Sequence, residues 1–285
     1  MFDRRSRARL AKSRPALLGL TIVTLLFLFA SIGPAAAHHG PLESDFIRGV
    51  SPDGMPAGPS RMFPLGADRL FRDVFARLAY AGRLTLLISL SATAMATGIG
   101  ALVGVVAGWH AGGRIDSALM RFVDVLLAFP FLLLVMAIGV ALDHASAFTI
   151  LVTLGATSWL GIARILRAKT IEVRSREYIL ASRALGQSTA RIMTKHVLPN
   201  VSGPLIISGT MLIAQMVMAD SVLSYLGVGI PPPTPTWGRM LFEGQDYYVA
   251  APWIAIAPAL AILLAVWGFN MLGEGLRDAL DPHEV

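Results

Sequence analysis

Residues Leu84–Trp109 read L-T-L-L-I-S-L-S-A-T-A-M-A-T-G-I-G-A-L-V-G-V-V-A-G-W, with no Asp, Glu, Lys or Arg in the run. An α-helix needs about 20 such residues to cross about 30 Å of hydrocarbon, so this stretch is predicted to span a membrane. Five more runs free of those residues occur: Pro15–Ala37, Val125–Leu142, Ala145–Ala163, Val197–Ala219 and Tyr247–Gly273. The third and fourth spans are separated by little more than Asp143 and His144, and the first residues of the fifth read as a loop. Composition agrees. The chain of 285 residues is 55% hydrophobic and 15% charged, against about 25% charged in a soluble domain, and its mean hydropathy is +0.64. The predicted fold is an all-α integral membrane protein with six transmembrane helices. The absence of cysteine excludes a disulfide scaffold, a Cys-ligated metal and a thiol nucleophile.

The net charge of +6 takes its meaning from position. Arg4, Arg5, Arg7, Arg9, Lys12 and Arg14 precede the first span. Arg164, Arg167, Lys169, Arg174, Arg176, Arg183, Arg191 and Lys195 lie between the fourth and fifth. Basic loops stay in the cytoplasm, so both termini are expected inside, and topology explains the charge without nucleic acid. The segment between spans one and two departs from this bias, with Arg48, Arg61, Arg69, Arg72, Arg77 and Arg83. Ala35-Ala36-Ala37 before His38 resembles a signal-cleavage site, but the run Ala16–Ala37 exceeds the 7–15 residues of a signal core. The first span is therefore expected to be retained. The organisation expected is a basic N-terminus (1–15), a first helix (16–37), an external segment (38–83), a five-helix core (84–273) carrying a cytoplasmic loop (167–200), and a cytoplasmic C-terminus (274–285).

His38–Arg61 is rich in Pro and Gly and reads as an exposed loop in which His38 and His39 are solvated. Asp68–Arg83 has apolar residues at helical spacing with charges between them, the pattern of an amphipathic helix lying along the interface. Gly100, Gly104 and Gly108 recur every four residues, which lets a neighbouring helix approach closely. Pro130 should kink the third span, and Arg121 and Asp124 are spaced to pair across one turn. Ile171–Leu185 reads as one amphipathic helix; Gly186 suits a left-handed stop, Ser188 suits the N-cap of a second short helix, and Pro199 ends that helix. Ala181, Ser182 and Ala184 beside the bend would let its backbone sit in a partner's groove, or the loop could rest on anionic lipid; composition alone leaves both readings open. Asp220 is an ionisable residue near the outer end of the fifth span, a functional candidate by default unless it sits at the water boundary. Trp237, Tyr247, Tyr248 and Trp253 fit an interfacial aromatic belt. No phosphate-cradling G-x-x-x-x-G-K-[ST], G-x-S-x-G or H-E-x-x-H occurs, so no bond-making chemistry is expected of this chain.

Four segments together resemble the inner-membrane permease subunits of peptide-type ABC importers (oligopeptide, dipeptide and nickel systems). They are F-P-L-G-A-D-R-L-F-R-D-V-F-A-R-L-A-Y-A-G-R (Phe63–Arg83), E-Y-I-L-A-S-R-A-L-G-Q-S-T-A-R-I-M-T-K-H-V-L-P-N (Glu177–Asn200), S-V-L-S-Y-L-G-V-G-I-P-P-P-T-P-T-W-G (Ser221–Gly238) and G-E-G-L-R-D-A-L-D-P (Gly273–Pro282). The second is similar to that family's cytoplasmic EAA loop: Ala181, Gly186, Leu198 and Pro199 match, while Leu180 replaces the Glu, Ser182 the second Ala and His196 the usual Ile. Phe71 stands where the family usually has Gly, and Phe63 where it often has His.

The resemblance implies the transmembrane domain of a type I ABC importer. It would work with a second homologous permease, two ATP-binding subunits and an extracytoplasmic substrate-binding protein in a bacterial inner membrane. It further implies alternating access for oligopeptides, dipeptides or a similar small solute, with ATP and Mg held by the ATPases and no cofactor or metal on this chain. Leu180, Ala181, Ser182, Ala184, Gly186, Gln187, Ser188, Leu198 and Pro199 would form the ATPase-coupling loop. Asp220 and Asp124 are the candidates for the translocation path. The rival class is an ion-coupled secondary transporter, which calls for internal repeats and intramembrane acids; no repeat is evident, and both aspartates lie near span ends.

Overall fold

A computed structural model describes residues 9–11, 13–142 and 146–280. Asp143 and His144, the basic residues before Arg9, Lys12 and the end from 281 onward lie outside the described residues. The first helix, α1 (Arg14–Ala36), starts at Ser13, whose side chain accepts a hydrogen bond from the Ala16 backbone N–H. Next come α2 (Val74–Trp109), α3 (Arg114–Leu127), α4 (Phe131–Ala141), α5 (Ala147–Thr157) and α6 (Leu160–Arg174). The chain continues through α7 (Glu177–Ala184), α8 (Thr189–Ile192), a π-helical turn over Met193–Val197, and α9 (Leu198–Tyr225). It ends with α10 (Trp237–Gly244) and α11 (Trp253–Leu280). Among the described residues there is no β-strand, only isolated bridges such as Ala67 with Asp73. Five helical stretches are long and apolar enough to cross a membrane, and α3 with α4 makes a sixth when counted as one broken span.

Pro130 does more than kink that span. It is the N-cap of α4, and α3 and α4 meet at 88°. Proline cannot donate a helical hydrogen bond and disfavours helix in the residue before it, so the helix stops and restarts as an elbow. The region 171–185 also differs from the single helix expected. Helix α6 ends at Arg174, Arg176 is extended, and α7 begins afresh at Glu177. Pro199 ends nothing: it occupies the first turn of α9, where a missing N–H costs no helical bond, and the stretch expected as loop is helical.

Helix α2 is the centre of the bundle and packs against α1, α5, α6 and α9. Its glycine series serves as expected. A Cβ on Gly100 would lie 2.8 Å from the Ile162 side chain, and one on Gly108 would lie 2.6 Å from the Arg167 carbonyl oxygen. Helix α1 is built into the same bundle. A Cβ on Gly19 would come within 2.5 Å of the Leu272 backbone nitrogen, and Arg83 donates to the carbonyls of Ala30 (2.7 Å) and Ser31 (2.6 Å).

The segment between α1 and α2 folds over one end of the bundle, and four expectations change there. Residues 68–73 are not helical; α2 starts at Val74, capped by Asp73, which accepts from the Phe75 N–H at 2.9 Å, and runs unbroken into the span. Of the charges read as an interfacial stripe, Asp68, Arg72 and Arg77 are buried in an ionic cluster. Arg72 Nε donates to Asp68 at 2.8 Å, Arg77 Nη2 donates to Glu243 Oε2 at 2.8 Å, and Arg239 pairs with the other Glu243 oxygen at 3.3 Å. Trp237 and Trp253 are no aromatic belt, because their indole N–H groups find inward carbonyls, of Leu78 at 3.1 Å and Ala67 at 3.0 Å. His39 is stacked on Phe63 with ring centroids 4.8 Å apart, between Asp73 at 3.7 Å and Asp45 at 3.9 Å. This is the capped end; the opposite end, bearing α7 and α8, is the basic end.

Candidate coupling bend and translocation cavity

At the basic end the chain leaves α6, turns through α7 and α8 and re-enters the bundle in α9. Helix α7 closes with two backbone bonds: Gly186 N–H to the Arg183 carbonyl at 2.9 Å and Gln187 N–H to the Ser182 carbonyl at 3.1 Å. That pair is a Schellman motif, which requires the residue after the C-cap to be left-handed. Gly186 has φ +75°. Ser188 then caps α8 by accepting from the Arg191 N–H at 3.4 Å. Ile179, Ser182, Ile192 and Val197 face inward and are buried. Leu180 and Leu185 face outward, Leu185 with 82% of its surface exposed, and Ala181, Ala184, Gly186 and Ser188 are exposed beside them. Gln187 is half-buried. Leu198 and Pro199 lie beyond the π-helical turn, at the exposed start of α9. The bend thus presents a glycine with open space around it and two bare leucines.

The turn that joins α2 to α3 is anchored to the same end. Arg167 in α6 grips Asp116 in α3 with two bonds, Nε to Oδ1 at 2.6 Å and Nη2 to Oδ2 at 2.8 Å, and the Gly112 N–H donates to Oδ2 at 3.0 Å. Asp124 pairs with Arg164 in place of Arg121, joining α3 to α6.

A cavity of about 380 Å³ lies between the α3–α4 elbow, the α5–α6 junction and α9, walled by Phe129, Phe131, Ser158, Gly161, Gln215 and Met216 among others. Ser158 and Thr157 spend their hydroxyl protons on carbonyls of their own helix, Leu154 at 2.6 Å and Thr153 at 2.7 Å. The Gln215 amide bonds to no other described residue, so it is the polar group in this wall free to meet a solute. Neither predicted path residue lines the cavity. Asp220 is wholly buried one position beyond the cavity-lining Ala219, beside Thr85 of α2, and not at the water boundary. Asp124 lies on the surface in its pair with Arg164. Gln215 escaped sequence reading because it is uncharged and sits inside an apolar run.

Membrane-spanning helices around a cleft, with a helical bend carried at one end, define a multi-pass membrane protein. Residues 100–284 match the family described as binding-protein-dependent transport system inner membrane component, and the chain belongs to that family, the permeases of ABC importers. The ion-gradient alternative has no support from it. The oligopeptide transport system permease protein OppC of Bacillus subtilis is 34% identical over 274 residues, covering 96% of this chain and 87% of that protein. The dipeptide permease DppC of the same organism is 38% identical, with 96% and 83% covered. The di/tripeptide permease DppC of Pseudomonas aeruginosa is 38% identical, with 95% and 89% covered. In fold, the chain is similar to the MetNI methionine ABC transporter in an inward-facing conformation, with a TM-score of 0.58 and 20% identity over 72% of this chain and 96% of that one.

Proposed function

We propose that this chain forms one half of the pore of an importer for oligopeptides or dipeptides, with both termini and the basic end in the cytoplasm. The peptide substrate class is that named for its relatives, and the Gln215 amide in an otherwise apolar wall suits solutes of varied side chain bound through their backbone amides. A second homologous permease completes the pore across the cavity face. Two ATP-binding subunits hold ATP and Mg beneath it, a substrate-binding protein delivers solute to the capped end, and this chain contributes no catalytic residue or cofactor. The EAA-like bend transmits ATPase closure to the helices.

The observation that carries this reading is the α7–α8 bend: a rigid Schellman turn that exposes Leu180 and Leu185, a costly arrangement in water that a groove on another protein would cover. A Leu185→Cys chain expressed with its ATP-binding subunits and treated with a short bifunctional thiol reagent should cross-link to an ATPase carrying a groove cysteine. Normal uptake with cross-links absent across a scan of groove cysteines would refute the docking.

A further inference from the structure

At the basic end, a pocket of about 860 Å³ opens between the α2–α3 turn, the end of α6 and the α7–α8 bend. Three arginines line it, Arg114, Arg174 and Arg183. Their neighbours Arg164, Arg167, Lys169 and Arg176 each hold a carboxylate. Among the described residues no carboxylate pairs with these three. Uncompensated positive charges lining one pocket repel one another, so an anion that enters among them is stabilising.

Three further features define that anion. The Arg183 guanidinium carbon lies 4.3 Å from the centre of the Trp109 ring, a stacking that fixes its plane and leaves its N–H edge free for a tetrahedral oxyanion. Helix α3 begins in the wall with Gly113 as N-cap and no side-chain cap bond, so its first N–H groups also face an incoming anion; the acid in that first turn, Asp116, is already neutralised by Arg167. Gln187 also lines the pocket, and its side-chain amide has no partner among the described residues, which supplies a neutral polar group beside the three cations. Trp109 closes both α2 and the apolar run that begins at Leu84, so the pocket opens where the membrane-spanning stretch ends, on the side where basic pockets between helices take anionic lipid heads.

We propose that this pocket binds the headgroup of an anionic glycerophospholipid, a phosphodiester bearing free glycerol hydroxyls, as in phosphatidylglycerol or cardiolipin. The phosphate lies among Arg114, Arg174 and Arg183, the glycerol hydroxyls meet the Gln187 amide, and the acyl chains run out along the bundle. The lipid bridges the α2–α3 turn to the α7–α8 bend. This rests on the chain spanning a membrane and on no assumption about which ATPase docks.

The test is native mass spectrometry of the full chain released from nanodiscs of phosphatidylcholine containing phosphatidylglycerol. The wild type should retain phosphatidylglycerol over phosphatidylcholine. The Arg114→Gln, Arg174→Gln, Arg183→Gln triple variant should retain it on the order of a hundredfold less tightly. The matching triple Arg→Lys variant keeps the charge and loses the planar fork, and should fall between the two. If the glutamine triple does not fold, Arg114→Gln alone, at an exposed position, should still weaken retention several-fold. Equal retention by wild type and folded variants overturns the proposal. So does displacement of the lipid by inorganic phosphate at about 10 mM, which would make this a soluble-anion site. No lipid on the wild type, with ATPase co-purification lost in the triple variant, would assign the pocket to partner carboxylates and equally overturn it.

Discussion

Gly104 of α2 and Ala163 of α6 meet backbone to backbone: a Cβ on Gly104 would lie 2.5 Å from the Ala163 carbonyl oxygen and 3.0 Å from the Leu166 side chain. No rotamer relieves a clash with backbone, so the helices must separate. Gly104→Ala should therefore destabilise the detergent-solubilised chain by about 1–3 kcal/mol despite the better helix propensity of alanine. Gly98, on the same helix, has nothing within 4 Å of its Cβ position, and Gly98→Ala should be neutral or stabilising by up to about 1 kcal/mol. Thermal midpoints of the two variants measured side by side check the contrast; equal effects would mean that α2 and α6 do not pack at Gly104.

The cross-helix fork between Asp116 and Arg167 yields a second prediction. It holds the α2–α3 turn to α6 through two charge-assisted bonds, and Asp116 is 5% exposed while Arg167 is 34% exposed. Removing either partner leaves the other short of its mate in a partly buried place. After discounting for solvent at the Arg167 side, Asp116→Asn and Arg167→Gln should each cost about 1–2 kcal/mol. The double variant should cost less than their sum. A double-mutant cycle on thermal or denaturant unfolding checks this, and strict additivity would show that the fork contributes nothing as a pair.

What was legible in the sequence and what was not divides along sequence separation. The apolar runs, the glycines at 100, 104 and 108, the break at Pro130, the left-handed Gly186 and the capping Ser188 are all decided within a turn or two of chain. The ionic partners were not legible. Glu243 joins Arg72 and Arg77 from across the molecule, so charges that look like a solvated stripe turn inward. Asp124 finds Arg164 on another helix before it finds Arg121. Trp237 and Trp253 are drawn in by carbonyls of the capped end. Gln215 in the cavity wall and the Arg114–Arg174–Arg183 pocket come from separate helices and exist only once those helices pack. Phe71 shows the reverse case: it has φ +58°, a conformation that favours glycine, and nothing in a phenylalanine announces such a turn.

Asp73 makes a pH-dependent prediction. Burial pushes its carboxyl above the ordinary value of 3.8, against the opposing pull of the Phe75 and Ala76 N–H groups and of His39. A raised native value means that the folded chain holds this proton more tightly than the unfolded chain. Stability from this group is therefore fully present below about pH 3.8 and is lost as pH rises through the raised value. Asp73→Asn keeps an N-cap of equal quality and removes the titration. The thermal midpoint of the variant minus that of the wild type should climb as pH rises above about 3.8 and level off once the raised value is passed. A flat difference across that range would show that Asp73 is not desolvated in the folded protein.

Gly186 carries the sharpest prediction, because its backbone and its surroundings give separable effects. With φ +75°, a side chain there costs on the order of 1 kcal/mol, and a β-branched one more. Nothing in the chain itself lies within 4 Å of its Cβ position, so any further effect must come from outside. Gly186→Ala and Gly186→Val should both insert in the membrane and leave the helical bundle intact, since Gly186 is exposed and the bend meets the core through Ile179, Ile192 and Val197 instead. Asn tolerates the left-handed conformation better than Ala, so Gly186→Asn tests backbone strain with less of it and a larger side chain. If a close-fitting ATPase groove covers the bend, the order of damage to ATPase co-purification and to uptake should follow side-chain bulk: Val worst, Asn intermediate, Ala least. If backbone strain alone matters, Asn should be milder than Ala. Uptake and co-purification measured together in membranes with equal amounts of each variant distinguish the two orders. Near-normal values for all three would remove the bend from the coupling path while leaving the six-span fold untouched.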